Sequence, residues 1–121
     1  MTGGRLTAGE IEIELAGTIR VLRPTIHACL ELSRRWKGFR NLEIALVGLN
    51  VDAFIDVVQL GLGIEDRDQA AALVCASPLV VDQPAAANSL PSAVARFVEV
   101  LLNGGRPLEA EHPPDPPAAG G

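Results

Sequence analysis

Glu10-Ile11-Glu12-Ile13-Glu14-Leu15-Ala16-Gly17-Thr18-Ile19-Arg20-Val21-Leu22-Arg23-Pro24 is the stretch on which the fold turns. Its first six residues alternate charged and apolar side chains over three full periods, the pattern of a strand with one wet face and one buried face. Ala16-Gly17-Thr18 breaks the alternation, and Gly17 is free to take the positive φ that a tight turn demands. Ile19 to Arg23 resume it in part, with β-branched residues, so the two runs read as an antiparallel hairpin. A lone hairpin is marginal in water. Its apolar face (Ile11, Ile13 and Leu15, with Ile19 or Val21) therefore needs a cover, from helices downstream or from a neighbouring copy of the chain.

Pro24 changes the regime, because proline fits the first turn of a helix, where its missing N–H has no partner to lose. Ile26, Cys29, Leu30 and Leu32 or Ser33 recur at helical spacing, with Glu31, Arg34 and Arg35 opposite. A first helix is expected over 25–36, stopped at Lys37-Gly38. Asn41 is placed to cap a second, short helix to about Gly48, with Leu42, Ala45, Leu46 and Leu49 on its apolar side. Asn50 or Asp52 caps a third, with Phe54, Ile55, Val58 and Leu62 inward, and Gly61-Leu62-Gly63 ends it. Asp66 or Asp68 opens a fourth, which runs to about Ala76 and offers Ala71, Leu73, Val74 and Cys75 for burial before Ser77-Pro78. Residues 79–87 read as a connector, since Pro78 and Pro84 bracket Val80 and Val81. Asn88 or Ser89 starts a last helix, with Pro91 in its first turn and a stripe of Val94, Phe97, Val98, Leu101 and Leu102 that stops at Asn103-Gly104-Gly105. Five of the nine prolines fall after Gly105, so 106–121 is expected to be an extended, disordered tail. Residues 1–9 are expected to be loose. The expected fold is α+β and mainly α: one domain over 10–105, with an N-terminal hairpin and a compact bundle of four to five short helices.

Composition limits what such a domain can be. Apolar residues make up 48% and aromatic ones only 3%, namely Trp36, Phe39, Phe54 and Phe97. The core must then be aliphatic, which suits helices packed side by side. The net charge of −5, from 15 acidic and 10 basic side chains, opposes binding to a phosphate backbone, so no nucleic-acid partner is expected. Arg34, Arg35, Lys37 and Arg40 read as the solvated end of a helix, where cations complement the dipole. The apolar runs at 44–49 and 70–76 fall short of the ~18 residues of a membrane span. No secretory leader is legible in the opening residues, so Cys29 and Cys75 are expected to be free, buried thiols in a cytoplasmic protein.

Little in the chain speaks for catalysis or a cofactor. His27 and Glu31 are four apart and can form a surface pair, whereas His27 and Cys29 point to different faces. His112 lies in the tail. The common metal motifs are missing. Gly61-Leu62-Gly63 lacks the third glycine and the preceding strand of a nucleotide loop, and Glu65, Asp66 and Asp68 read as helix capping. The serines have no histidine near them in sequence. No enzymatic activity, cofactor or metal is expected.

The order of elements now carries weight. A hairpin is followed by Leu22-Arg23-Pro24-Thr25 and a helix that contains Glu31. Short helices come after Gly38, then Gly61-Leu62-Gly63, Ala72-Leu73-Val74, and a late helix that ends Leu101-Leu102-Asn103-Gly104. Over 10–105 the chain resembles the small tail protein family of gene transfer agents and related siphophages. That family is catalogued as phage tail tube protein of the gene-transfer-agent type, and its members are regarded as tail assembly chaperones. The basic run Ser33-Arg34-Arg35-Trp36-Lys37 and the proline-rich tail depart from its pattern. The resemblance implies a non-enzymatic role in the host cytoplasm during tail morphogenesis. The protein would bind the tape measure protein, shield its long hydrophobic segments and recruit tail tube subunits. A structural tail tube component of the particle is the alternative. A small enzyme or ligand-binding domain is a third reading, which a deep pocket lined by His27 and acidic side chains would favour. Trp36, Phe39, Phe97 and Leu101 are the candidate partner-binding residues, with self-association through apolar positions of the late helices or the hairpin also open. Trp36 has the amphipathic ring of a binding hot spot, or else acts as a lid over the core near the hairpin.

Overall fold

A computed structural model describes residues 9–82 and 86–108. Strands β1 (Ile11–Leu15) and β2 (Thr18–Leu22) form the antiparallel hairpin. Five helices follow: α1 (Ile26–Trp36), α2 (Phe39–Val47), α3 (Val51–Leu62), α4 (Arg67–Cys75) and α5 (Leu90–Leu102). The hairpin turn is Ala16-Gly17 alone, with φ of +52° and +82°. Positive φ at both central residues matches the right-handed twist of the strands. The Ala16 N–H donates to Ser77 Oγ at 2.9 Å, which ties the turn to the end of α4.

A two-residue turn also fixes which side chains share a face. Ile11 pairs with Leu22, Ile13 with Arg20 and Leu15 with Thr18. Strand β2 therefore turns Thr18, Arg20 and Leu22 to the side of the buried Ile11, Ile13 and Leu15. Ile19 and Val21, the expected β2 contributors, lie on the outer face instead, and Ile19 is 49% exposed.

Helix α5 covers β1 and helix α3 covers β2. The approach of α3 depends on Gly61. A Cβ at that position would lie 2.7 Å from Leu22 Cδ2 and 3.3 Å from Phe97 Cζ. Its carbonyl accepts from the Arg23 N–H at 2.9 Å. Gly61 is thus a contact point inside α3, where the sequence suggested a stop. The stop is Gly63, at φ +74°. From Ala53 to Gly61 every residue of α3 is buried, as expected for a helix that is apolar nearly all round. Phe54, Val57, Val58 and Phe97 centre the core.

Capping accounts for most helix starts. Thr25 accepts from Ala28 N–H, Asn50 from Asp52 N–H and Asp66 from Asp68 N–H, at 2.9–3.0 Å. Asn41 does not open α2, which begins at Phe39. Its side-chain amide instead donates back to the carbonyls of Trp36 and Lys37, at 3.0 and 3.2 Å, and closes the end of α1. Cys29 is half-buried and Cys75 is exposed, both as free thiols. Helix α4 turns Ala70 and Val74 fully inward and packs Ala71 and Leu73 partly against the core, which leaves Cys75 on the exposed side. Of 1–9 and 106–121, expected to be loose and disordered, residues 1–8 and 109–121 lie outside the described part, while Gly9 is buried and Leu108 packs against the core. No helix among the described residues is long and apolar enough to cross a membrane.

Candidate functional site

The densest polar grouping surrounds Asp56, a carboxylate inside the apolar run of α3 with 7% of its surface exposed. Oδ1 accepts from Arg35 Nη1 at 3.0 Å and from Arg67 Nε at 3.1 Å. Oδ2 accepts from the indole N–H of Trp36 at 3.0 Å. Gln59, one turn on and also 7% exposed, accepts from Arg35 Nη1 at 3.0 Å and donates to the Glu65 carbonyl at 3.1 Å. Arg67 reaches Asp52 with Nη2 at 3.0 Å. Its hydrogen bonds to Asp52 and then Asp56 push the guanidinium pKa up, so Arg67 stays charged. The end of α1, the middle of α3 and the start of α4 are thereby tied together. Both oxygens of Asp56 are committed to donors, so the grouping acts as a clamp. Sequence spacing alone places Arg35 in a solvated helix end and does not disclose this grouping.

Beside this clamp, His27, Glu31, Arg35, Gln59, Leu60, Gly63, Ile64 and Glu65 line a cleft of about 470 Å³. Glu31 does not take His27 as its main partner. It binds Arg34, one turn along α1. The Arg34 hydrogen bond holds the Glu31 carboxyl below its usual range, helped by the nearby charges of Arg34, Arg35 and His27. The same contact raises Arg34. The cleft is open to water at His27 and Glu65, and its cation Arg35 is bound to Asp56 and Gln59. Among the described residues, no three His, Cys, Asp or Glu side chains are grouped to hold a metal ion.

The candidate partner-binding residues do not share one surface. Phe97 has no exposed surface and Leu101 only 6%, because the α5 stripe they belong to is the one that packs into the core. Both are core residues, not part of an exposed binding face. Trp36 and Phe39 are half-buried against that core, and the one polar atom of Trp36 is turned inward to Asp56. Trp36 therefore packs against the core and is tied to α3 through Asp56.

The exposed apolar side chains lie elsewhere. Helix α1 buries Ala28 and Leu32 and leaves Ile26 at 80% and Leu30 at 66% exposure. The reading that put Ile26 and Leu30 inward chose the wrong stripe. Helix α2 buries Leu42 and exposes Ile44 at 63% and Val47 at 85%. At its end Leu49, expected inward, is 43% exposed and holds φ +60°. Ile26 and Leu30 also border an apolar groove of about 200 Å³ between the start of α1 and the end of α5, with Cys29 and Leu101 at its floor. Compared with known proteins, the chain matches no family model, no curated protein and no solved structure.

Proposed function

We propose that the protein is a non-enzymatic tail assembly chaperone of the gene-transfer-agent type. It binds the tape measure protein in the host cytoplasm and recruits tail tube subunits during tail morphogenesis. The observation that carries this reading is the aliphatic surface of α1 and α2. Ile26, Leu30, Ile44 and Val47 each leave more than 60% of their surface in water, while the chain has a full core elsewhere. Exposed aliphatic side chains offer another chain apolar surface to bury, and an apolar helix face is a common receptor for amphipathic segments. Re-burying one such side chain contributes about 1.5–3 kcal/mol, enough for a client to be held and later released. The partner assignment rests on the resemblance of the element order (hairpin, short helices, Gly61-Leu62-Gly63, late helix) to that family.

The test is co-expression with a tape measure protein. A soluble complex is expected from the wild type, and none from Ile26→Ser/Val47→Ser, with unchanged melting of the variant alone. No complex with the wild type, or one indifferent to the substitutions, overturns the reading. A structural tube component would be recovered in stoichiometric amount from purified particles. A chaperone would be absent from them. The single two-stranded sheet among the described residues favours the chaperone, since a tube wall needs broad sheets to pack between neighbours. The cleft lined by His27, Glu31 and Glu65 favours a second reading as a small-ligand binder. A ligand screen read by thermal shift, lost in His27→Ala, would establish it.

A further inference from the structure

We infer that the outer edge of β2 receives an extended segment of a partner protein, one that carries an acidic side chain opposite Arg20. Each edge of the hairpin is engaged at one point, and just past the end of β2 the Arg23 N–H donates to the Gly61 carbonyl of α3 at 2.9 Å. At the β1 edge, the Glu14 N–H donates to the Asn88 carbonyl at 2.7 Å. Glu14 therefore points its backbone groups away from β2, and its partner Ile19 does the same on the other side, as alternate pairs of an antiparallel ladder must. Val21, two residues on, shares that direction. Among the described residues no backbone group bonds to Ile19 or Val21 at this edge. Ile19 is 49% exposed there. An unpaired strand edge is a template for a further strand.

Arg20 decides which strand can come. It sits between Ile19 and Val21 but on the opposite face, beside Ile13. Its Nε is buried with no acceptor. An inward-facing charge on an edge strand deters an ordinary apolar strand, and two copies of β2 centred on this residue would set Arg20 against Arg20. The same charge favours a strand whose carboxylate meets the guanidinium. A segment bonded to Ile19 and Val21 places its intervening side chain opposite Arg20, on the inner face. The occupant is therefore an extended partner segment with an acidic residue between apolar ones. This goes beyond the proposed chaperone role and does not rest on the aliphatic surface of α1 and α2. The chain's own Leu108-Glu109-Ala110-Glu111 has a similar alternation and is the competing occupant.

The test titrates the full-length ¹⁵N-labelled protein with the blocked peptide Lys-Thr-Val-Glu-Val-Thr-Lys and with its twin in which Gln replaces Glu. The Glu peptide should shift the Ile19 and Val21 amides and slow their hydrogen exchange, and the Gln twin should bind about tenfold more weakly. Arg20→Gln should abolish the difference between the two peptides. Ile19→Pro, tolerated where the N–H faces out from an edge, should abolish binding of both while leaving the melting curve in place. Equal binding of the two peptides to the wild type overturns the inference, as does no binding at millimolar concentration or shifts confined to other residues. Exchange protection of Ile19 and Val21 in the free protein that disappears when 109–121 are removed also overturns it, and assigns the edge to the chain's own tail.

Discussion

Helix α3 and the helix pair α1–α2 are built on opposite terms. Helix α3 is enclosed on all sides from Ala53 to Gly61, and the two polar side chains in that run, Asp56 and Gln59, receive donors brought by its neighbours. Helices α1 and α2 bury only Ala28, Leu32 and Leu42 outright and leave four large aliphatics in water. One region closes its account within the chain. The other holds apolar surface in reserve, on helices fixed at one end by the Arg35 and Trp36 contacts to Asp56. Stability should therefore concentrate at α3, and tolerance to substitution should increase toward the outer faces of α1 and α2.

The largest effect is expected from Asp56→Ala, which leaves Arg35, Arg67 and the Trp36 N–H without their shared acceptor. Breaking one partner of a buried ion pair costs about 3–5 kcal/mol, a fall in Tm on the order of 20 °C for a domain of this size. Calorimetry checks it, and a shift of only a few degrees would place the strength of the fold elsewhere. Gly61→Val comes next. Its Cβ already falls too close to Leu22 and Phe97, and overpacking of this kind costs about 1–3 kcal/mol by urea unfolding. Lys37→Gly should act in the opposite direction. Lys37 ends α1 at φ +56° with an exposed side chain, and glycine relieves the left-handed strain, for a gain of about 1 kcal/mol. Ile26→Ser/Val47→Ser should change stability by no more than about 0.5 kcal/mol per site while abolishing capture of the client. If that pair unfolds the protein, the contrast between closed and open regions fails.

The smallest effect concerns pH. Arg34 lowers the folded-state pKa of Glu31 below its usual 4.5, so the contribution of this pair is present above that value and fades as pH falls through the folded one. Arg34→Gln should return Glu31 toward 4.5 in an NMR titration. Because the Arg34 side chain is largely in solvent, the pair contributes little and the melting curve at neutral pH should barely move.

Legibility followed the range of the forces involved. The hairpin was readable from the three Glu–apolar repeats of 10–15, and α5 from its stripe through Val94, Phe97 and Leu101, because strand and helix periods are local. The same stripe also carried the correction. Phe97 and Leu101 were proposed as partner-binding residues, although a strong apolar stripe is the first thing a core consumes. For α1 the sequence held two adjacent stripes, Ile26–Leu30 and Ala28–Leu32, and hydrophobicity favoured the wrong one. The clamp at Asp56 left one trace in sequence, an acidic residue and a glutamine set in an otherwise apolar helix. Their donors at 35, 36 and 67 could not be assigned from spacing.

Local chemistry in this chain settled where elements begin, turn and stop: the alternation of Glu10 to Leu15, the Ala16-Gly17 turn, the caps at Thr25, Asn50 and Asp66, and the stop at Gly63. Those choices depend on residues a few positions apart, and backbone sterics and hydrogen bonding decide them before any packing. Tertiary structure alone decided which stripe of α1 faces in, why residue 61 must lack a side chain, and which groups meet around Asp56. Each of these is a competition for limited volume and for hydrogen-bond partners among segments distant in sequence, and it is resolved only when they are brought together.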